Sequence, residues 1–496
     1  MRASSPSRPL RQPSAVHFRS WQSIFLERCI LPKRQPHKTT VQDRSSSRSS
    51  YKSADGCELC RAQFLLQERF IIVKRRTNCA FLNRCVHIAV ATLISNSLHA
   101  SDGSGSSSRT WKVTGTAAVK ETFDSNVFLQ SKTDKANRSS FVTSFLPSVG
   151  LNWKPASLLG LTVNYSPEAH LFHSESSEGF FLHRVTLNLA GKSENSSYKI
   201  VGSVVKIDGS SLGPTWTGEG GAPATGAPIV RDRRDATVIR DSIFVTQQFG
   251  NWFMRPVATI YIHDFQMEHR NTAGYQNFAD RDEFTFGADL GRYFQTNSFA
   301  LVAGYRYGVQ HQEAFLGNDV HYDSSFHRVL FGIEGRPLSW LKANVTIGPE
   351  FREFRNHVAS GFGGLQRWNL FVDASLTATL SPANTLTLSA KRFEQPGSSG
   401  RATYQDGTYD LTLRHKLDEH WTVGVGGRGY NTDFRQPTKR DDWVISASAF
   451  VNYSVDKHFS AEASYVHEKG ITLNSNASGR EYDRHLVALG LKYTFQ

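Results

Sequence analysis

Residues 441–470 read DDWVISASAFVNYSVDKHFSAEASYVHEKG. Every second position is apolar: Trp443, Ile445, Ala447, Ala449, Val451, Tyr453 and Val455. The residues between are mostly small or polar, among them Ser446, Ser448, Asn452 and Ser454. Asp456-Lys457-His458 makes a tight turn, and the alternation resumes at Phe459, Ala461, Ala463 and Tyr465. A polar stretch, 468–482, leads to a last run, Val487, Leu489, Leu491, Tyr493 and Phe495. Period two over about ten residues, with aromatics near the ends, describes a strand that crosses a membrane. One face meets lipid and the other a wet lumen, so neither needs a long apolar run.

The same unit recurs upstream. Its clearest copy is Trp368, Leu370, Val372, Ala374, Leu376, Ala378 and Leu380. Residues 141–153 read as one strand and Leu159–Tyr165 as the next. The stretches 120–140, 208–236, 266–282, 311–325, 394–407 and 430–441 read as polar excursions. Between them lie tight turns such as K-P-A-S, Gly250-Asn251, S-P-A-N and Asp418-Glu419-His420. Long and short connections therefore alternate along the chain. A soluble sandwich has no reason to segregate loop length in this way, and a propeller would repeat every 40–50 residues. The expectation is an all-β, transmembrane, antiparallel up-and-down barrel of about 18 strands (16–18) over residues 110–496. Its short turns would lie on one rim and its long loops on the other.

Bulk composition would mislead here. The net charge is +13 and the pI about 9.5. Residues 1–100, however, hold 17 of the 57 Lys+Arg and 5 of the 44 Asp+Glu, leaving 40 against 39 for the remainder. A nucleic-acid reading built on pI would rest on the leader alone. Mean hydropathy is −0.40. Barrel strands escape hydropathy windows, so this value does not argue against a membrane protein.

All five cysteines, Cys29, Cys57, Cys60, Cys79 and Cys85, precede residue 86. Cys57-Glu58-Leu59-Cys60 has the spacing of half a zinc site or a redox pair, but no second CxxC accompanies it. Residues 73–100 carry a positive Lys74-Arg75-Arg76, a modest apolar run from Cys85 to Ile94, and Ala100 before a Ser/Gly-rich stretch. They read as a signal peptide cleaved after Ala100. Residues 1–72 are then a disordered or mis-annotated extension, with a transit peptide as the other reading. Residues 101–109 are a flexible linker. Export through the signal peptide would place the barrel in a bacterial outer membrane.

The residues out of phase with the apolar stripe are candidates for the lumen wall: Arg184, Arg240, Asp289, Arg306, Lys342, Glu350, Asp373, Arg414 and Arg428. Both signs occur, so selectivity should be weak and mildly anionic, with many of these groups paired across strands. Trp153, Trp252, Trp368, Trp421 and Trp443 sit near strand ends, where aromatic girdles lie. The Arg231–Arg240 stretch closes the longest loop and reads as a solvated loop end. His170, His173, His311, His321 and His327 lie in or beside long loops without the spacing of HExxH, and there is no GxSxG. No catalytic, metal or cofactor site is expected, and the chain does not read as an enzyme.

Lys120–Leu129, KETFDSNVFL, and Phe145–Leu151, FLPSVGL, resemble the start of the putative β-barrel porin 2 family. Leu491, Tyr493 and Phe495 resemble the terminal strand read by barrel-assembly machinery, although Gln496 follows the Phe. The resemblance implies a porin-like channel for passive, weakly selective passage of small solutes or oligosaccharides. It also admits a non-enzymatic component of an exopolysaccharide export system. The partners it implies are outer-membrane lipid and lipopolysaccharide, the assembly machinery and further copies of the chain, with no nucleic acid.

Overall fold

The computed structural model describes residues 110–129, 138–156, 159–209, 236–266, 279–294, 298–314, 320–355, 357–397, 403–436, 440–473 and 481–495. The leader with its cysteines, the linker and most of the longest loop lie outside the described residues. Twenty strand segments follow one another. The first seven are β1 (Thr110–Asp124), β2 (Ser140–Phe145), β3 (Ser148–Ala156), β4 (Leu159–Tyr165), β5 (Glu168–Phe172), β6 (Phe180–Lys192) and β7 (Ser196–Gly209). Next come β8 (Ala236–Phe249), β9 (Trp252–Phe265), β10 (Arg281–Phe294), β11 (Phe299–Gln312), β12 (Ser324–Leu338), β13 (Leu341–Phe354) and β14 (Gln366–Thr379). The last six are β15 (Asn384–Pro396), β16 (Thr403–Lys416), β17 (Trp421–Phe434), β18 (Asp441–Ser454), β19 (Phe459–Leu473) and β20 (Tyr482–Phe495).

These twenty segments make eighteen spanning strands. β1 pairs through its first half with β3 and through its second half with β2, so β2 and β3 are two halves of one strand. β4 and β5 likewise share β6 as neighbour. Each break falls at a proline, Pro147 or Pro167, which has no N–H for the ladder. The sequence reading missed the first break and ended the next strand at Tyr165, where β5 in fact carries it on to Phe172. β20 pairs antiparallel with β1, Gly115 opposite Phe495 through Asp124 opposite Leu486, and the sheet closes. Closure leaves no edge at this seam, which satisfies backbone groups there that lipid could not. At the seam Arg484 Nε donates to Asp124 Oδ1 at 2.8 Å. The Phe495 ring lies where a side chain on Gly115 would stand.

Connections alternate without exception. The shorter ones, such as 250–251, 339–340 and 417–420, share a rim with Thr110 and Phe495. The longer ones, from 125–139 to 474–481, share the other. Two short turns repeat one device. Asp418 Oδ1 accepts from the N–H groups of His420 and Trp421, each at 2.7 Å, and His420 Nδ1 lies 2.7 Å from Ser454 O. Asp456 does the same with His458 and Phe459, and His458 Nδ1 reaches Thr494 O at 2.8 Å. The N–H bonds hold both carboxyls below the usual carboxylate range.

Cross-strand register fixes which side chains share a face. From Arg240 the pairs run to Tyr261 and Glu283, then through Asp289–Gly304, Arg306–Arg328, Arg328–Glu350, Asp373–Lys391 and Asp410–Arg428. This continuous inner face is polar. Outside, two aromatic belts flank an apolar band. At the short-turn rim Trp421 meets Tyr453 at 4.6 Å and Phe294 stacks on Phe299 at 5.3 Å. Towards the long-loop rim Phe351 meets Trp368, Tyr409 stacks near Trp443, and the Tyr305 and Tyr465 hydroxyls hydrogen-bond His327 and His485. Trp252, Trp368, Trp421 and Trp443 take the expected girdle positions. Trp153 differs, being covered and stacked on Trp111 at 5.1 Å.

Candidate functional site

The site is the lumen, and one hairpin shapes it. β14 pairs with β13 over its whole length but with β15 only from Val372 to Thr379. Beyond Arg392, β15 leaves the wall and takes β16 with it. Side chains in the outward phase, Glu394 on β15 and Thr403 and Gln405 on β16, are buried rather than set in lipid. They pack on the inner face of β14: Arg367 Nη1 donates to Glu394 Oε1 at 3.2 Å and to Thr403 Oγ1 at 3.1 Å, and Gln405 Nε2 donates to Asn369 Oδ1 at 2.8 Å. The tip then reaches strands four to five places away around the ring. Arg281 Nη1 on β10 donates to Pro396 O at 2.8 Å, and Gln312 Nε2 on β11 donates to Gly397 O at 2.9 Å.

The inner side of the hairpin meets a dense polar wall. Gln395 Nε2 donates to Tyr404 Oη at 2.8 Å and to Asp406 Oδ2 at 2.6 Å. Arg281 donates to Tyr261 Oη at 2.9 Å, and both Arg281 and Arg240 lie over the Tyr261 ring. On β12 and β13, Glu350 accepts from Arg328 Nε and Arg352 Nε, each at 2.9 Å. Both guanidiniums flank the buried Phe326 ring, at 4.7 and 4.6 Å. That ring occupies the space a side chain on Gly308 would need, so glycine is required there. Above, at the long-loop mouth, Asp323 takes His311 Nδ1 and the Gln312 N–H, both at 2.9 Å. Burial pushes the Asp323 carboxyl up, but these bonds outweigh it and hold it below its usual range. Burial raises the neighbouring Tyr322 phenol to about 12.

The other half of the ring, from β16 through β20 and β1 to β7, stays wet at mid-height. Arg184 and Glu168 pair at 2.6 Å with side chains 24% and 23% exposed. Arg428 and Asp410 pair at 2.5 Å with 31% and 30% exposed. The hairpin thus fills one side of the lumen; on the other these two pairs keep contact with solvent, while Tyr430, Glu468 and Arg484 of the same half are buried.

The nine wall residues read from sequence divide between these zones. Arg240 and Glu350 belong to the filled side, and Asp289 joins Arg306 at 2.6 Å and Arg255 at 2.8 Å. Arg184 and Arg428 line the solvated side. Lys342 and Arg414 are exposed nearer the short-turn rim, and Asp373 is exposed opposite Lys391. Reading 394–407 as a loop missed the hairpin, and with it Glu394, Thr403, Tyr404, Gln405 and Asp406. The available signal was the switch from apolar to polar alternation at Arg392, followed by the Pro396-Gly397 tip.

Residues 219–495 match the family model described as Putative beta-barrel porin 2. The chain belongs to that family. It is an outer-membrane-type β-barrel porin, closed by eighteen spanning strands. No curated protein matches the chain. Among solved structures it is similar to Pseudomonas aeruginosa OccK2 (OpdF), at 11% identity and TM-score 0.40, covering 77% of this chain and 98% of that one. It is also similar to Acinetobacter baumannii OccAB3, at 9% identity and TM-score 0.39, covering 77% and 100%. A BenF-like porin from Pseudomonas fluorescens Pf-5 gives 9%, 0.40, 77% and 99%.

Proposed function

We propose that this porin passes small hydrophilic solutes passively, and that the solvated half of its lumen is the route. The observation that carries this reading is the split across the barrel. The Arg184–Glu168 and Arg428–Asp410 pairs keep contact with water, while the hairpin and its partners are almost wholly buried. Eighteen strands enclose enough space for an aqueous channel beside such a wedge. The hairpin sets the width, and fixed pairs of both signs line the route at mid-height. Passage then needs no energy input and no chemistry on the solute. In this reading the signal peptide exports the chain, the assembly machinery reads Leu491, Tyr493 and Phe495, and outer-membrane lipid and lipopolysaccharide surround the belts. Purified protein in planar bilayers should show steady ohmic steps. Silence under applied voltage, from protein shown to be inserted, would refute the reading.

A further inference from the structure

The inner wall below the solvated half carries a one-sided charge. Following the ring from β16 to β7, the short-turn part of the lumen presents Arg414, Lys492, Lys112, Lys154, Lys192 and Lys199. Register places all six on the inner face. Arg414 follows Asp410 in phase, Lys492 pairs with Ala118 and Lys112 with Asn152. Lys154 pairs with Thr110, Lys192 with Ser197 and Lys199 with Phe244. Each is exposed although it points into the barrel, so this part of the lumen holds water. Among the described residues, the strands of this stretch set one carboxylate against them, Glu462 on β19, and the short turns at the rim add Glu194, Asp418, Glu419 and Asp456 beside Lys416 and Lys457. Across the barrel, on β9 to β12, the signs balance instead, Arg255 and Arg306 against Asp289 and Glu334.

We propose that this basic basin makes the porin anion-selective, and that its preferred solutes are small anions. The inference rests on the channel reading above and names its substrate class. A low-dielectric wall lined by one sign of charge concentrates counter-ions and raises their entry rate. Lysine ammonium groups on flexible stems are compact point charges that attract an oxyanion without fixing its geometry. That suits transit better than retention. The basin lies beneath the solvated sector and not beneath the wedge, so charge and route coincide. Arg414 also lies 5.2 Å from the Phe450 ring, a contact that leaves its charge in place.

The test is the reversal potential of single channels in a KCl gradient, repeated with potassium glutamate. Chloride and glutamate should both outrun potassium, chloride by several-fold, and the preference should shrink in concentrated salt. The quadruple variant K154E/K192E/K199E/K492E should invert it. If that variant does not assemble, the same four positions changed to Gln should bring the chloride-to-potassium ratio to about one. Cation preference in the parent, or a ratio indifferent to these changes, overturns the proposal while the ohmic steps themselves uphold the channel. Absence of steps overturns the channel reading and this proposal together.

Discussion

Two hydrogen bonds hold the tip of the β15–β16 hairpin across the lumen, and removing them should loosen it by a readable amount. The perturbation is Arg281→Ala with Gln312→Ala, which deletes the donors to Pro396 O and Gly397 O. A hydrogen bond from a charged donor contributes about 1.5–3 kcal/mol and a neutral one about 0.5–1.5 kcal/mol, so together they amount to roughly 2–4.5 kcal/mol. At 1.4 kcal/mol per factor of ten, release of the hairpin becomes about 30- to 1,500-fold more frequent. The assay is the reaction rate of a thiol placed by Thr403→Cys, a near-isosteric change at a buried position. All natural cysteines lie before residue 86 and can be replaced by serine. When closing is fast relative to labelling, the rate follows the open population. The ratio of rates with and without the double change cancels the effect of the thiol itself. The two bonds share one tip, so each single change should give less than its additive share. A combined increase below about threefold would refute the idea that these bonds secure the hairpin.

Other perturbations read other parts of the account. Glu350→Ala leaves the Arg328 and Arg352 guanidiniums buried without their shared carboxylate and should destabilise the barrel by about 3–5 kcal/mol in denaturant unfolding. Replacing all three by apolar residues of similar volume should recover most of that loss, and an unaffected midpoint in Glu350→Ala would contradict the network. Asp418 and Asp456 have lowered folded-state carboxyl pKa values, so their contribution is complete above about pH 4 and is lost as pH falls through the folded values. Asp418→Ala/Asp456→Ala should therefore unfold earlier than the parent at pH 7 and approach it as pH falls through the folded values, a convergence that heat-modifiable gel mobility would show. Gly115→Leu collides with Phe495 at the closing seam and should cut the yield of barrel refolded into detergent without the assembly machinery, with recovery on adding Phe495→Ala.

The wall of this barrel was legible because lipid imposes a strict rule. Wherever a strand faces hydrocarbon, as at Trp368–Leu380 or Trp443–Val455, alternate positions must be apolar, and the stripe prints itself on the sequence. Strand count and loop alternation followed from that stripe. The prolines at 147 and 167 left the apolar phase nearly intact, so the breaks they cause passed unnoticed. The hairpin was illegible for the opposite reason. Beyond Arg392 neither face of β15 and β16 meets lipid, so Glu394, Thr403 and Gln405 stand where apolar residues would otherwise be needed. Polar alternation on both faces looks like a loop. Individual lumen residues could be placed on the inner face by parity alone. Their division into filled and wet halves depends on contacts between strands distant in the chain, such as Arg281 with Pro396, which no local pattern records.

The most direct examination of the hairpin is a nitroxide scan along β15 and β16 in reconstituted bilayers, comparing collision with oxygen and with a water-soluble nickel chelate. Labels at Leu388, Ala390, Leu411 and Leu413 should show the high oxygen accessibility of lipid. Labels in the same phase at Glu394, Thr403 and Gln405 should show low accessibility to both reagents. Should those last positions prove as accessible to oxygen as Leu411, the two strands run straight up the wall and the lumen has no wedge.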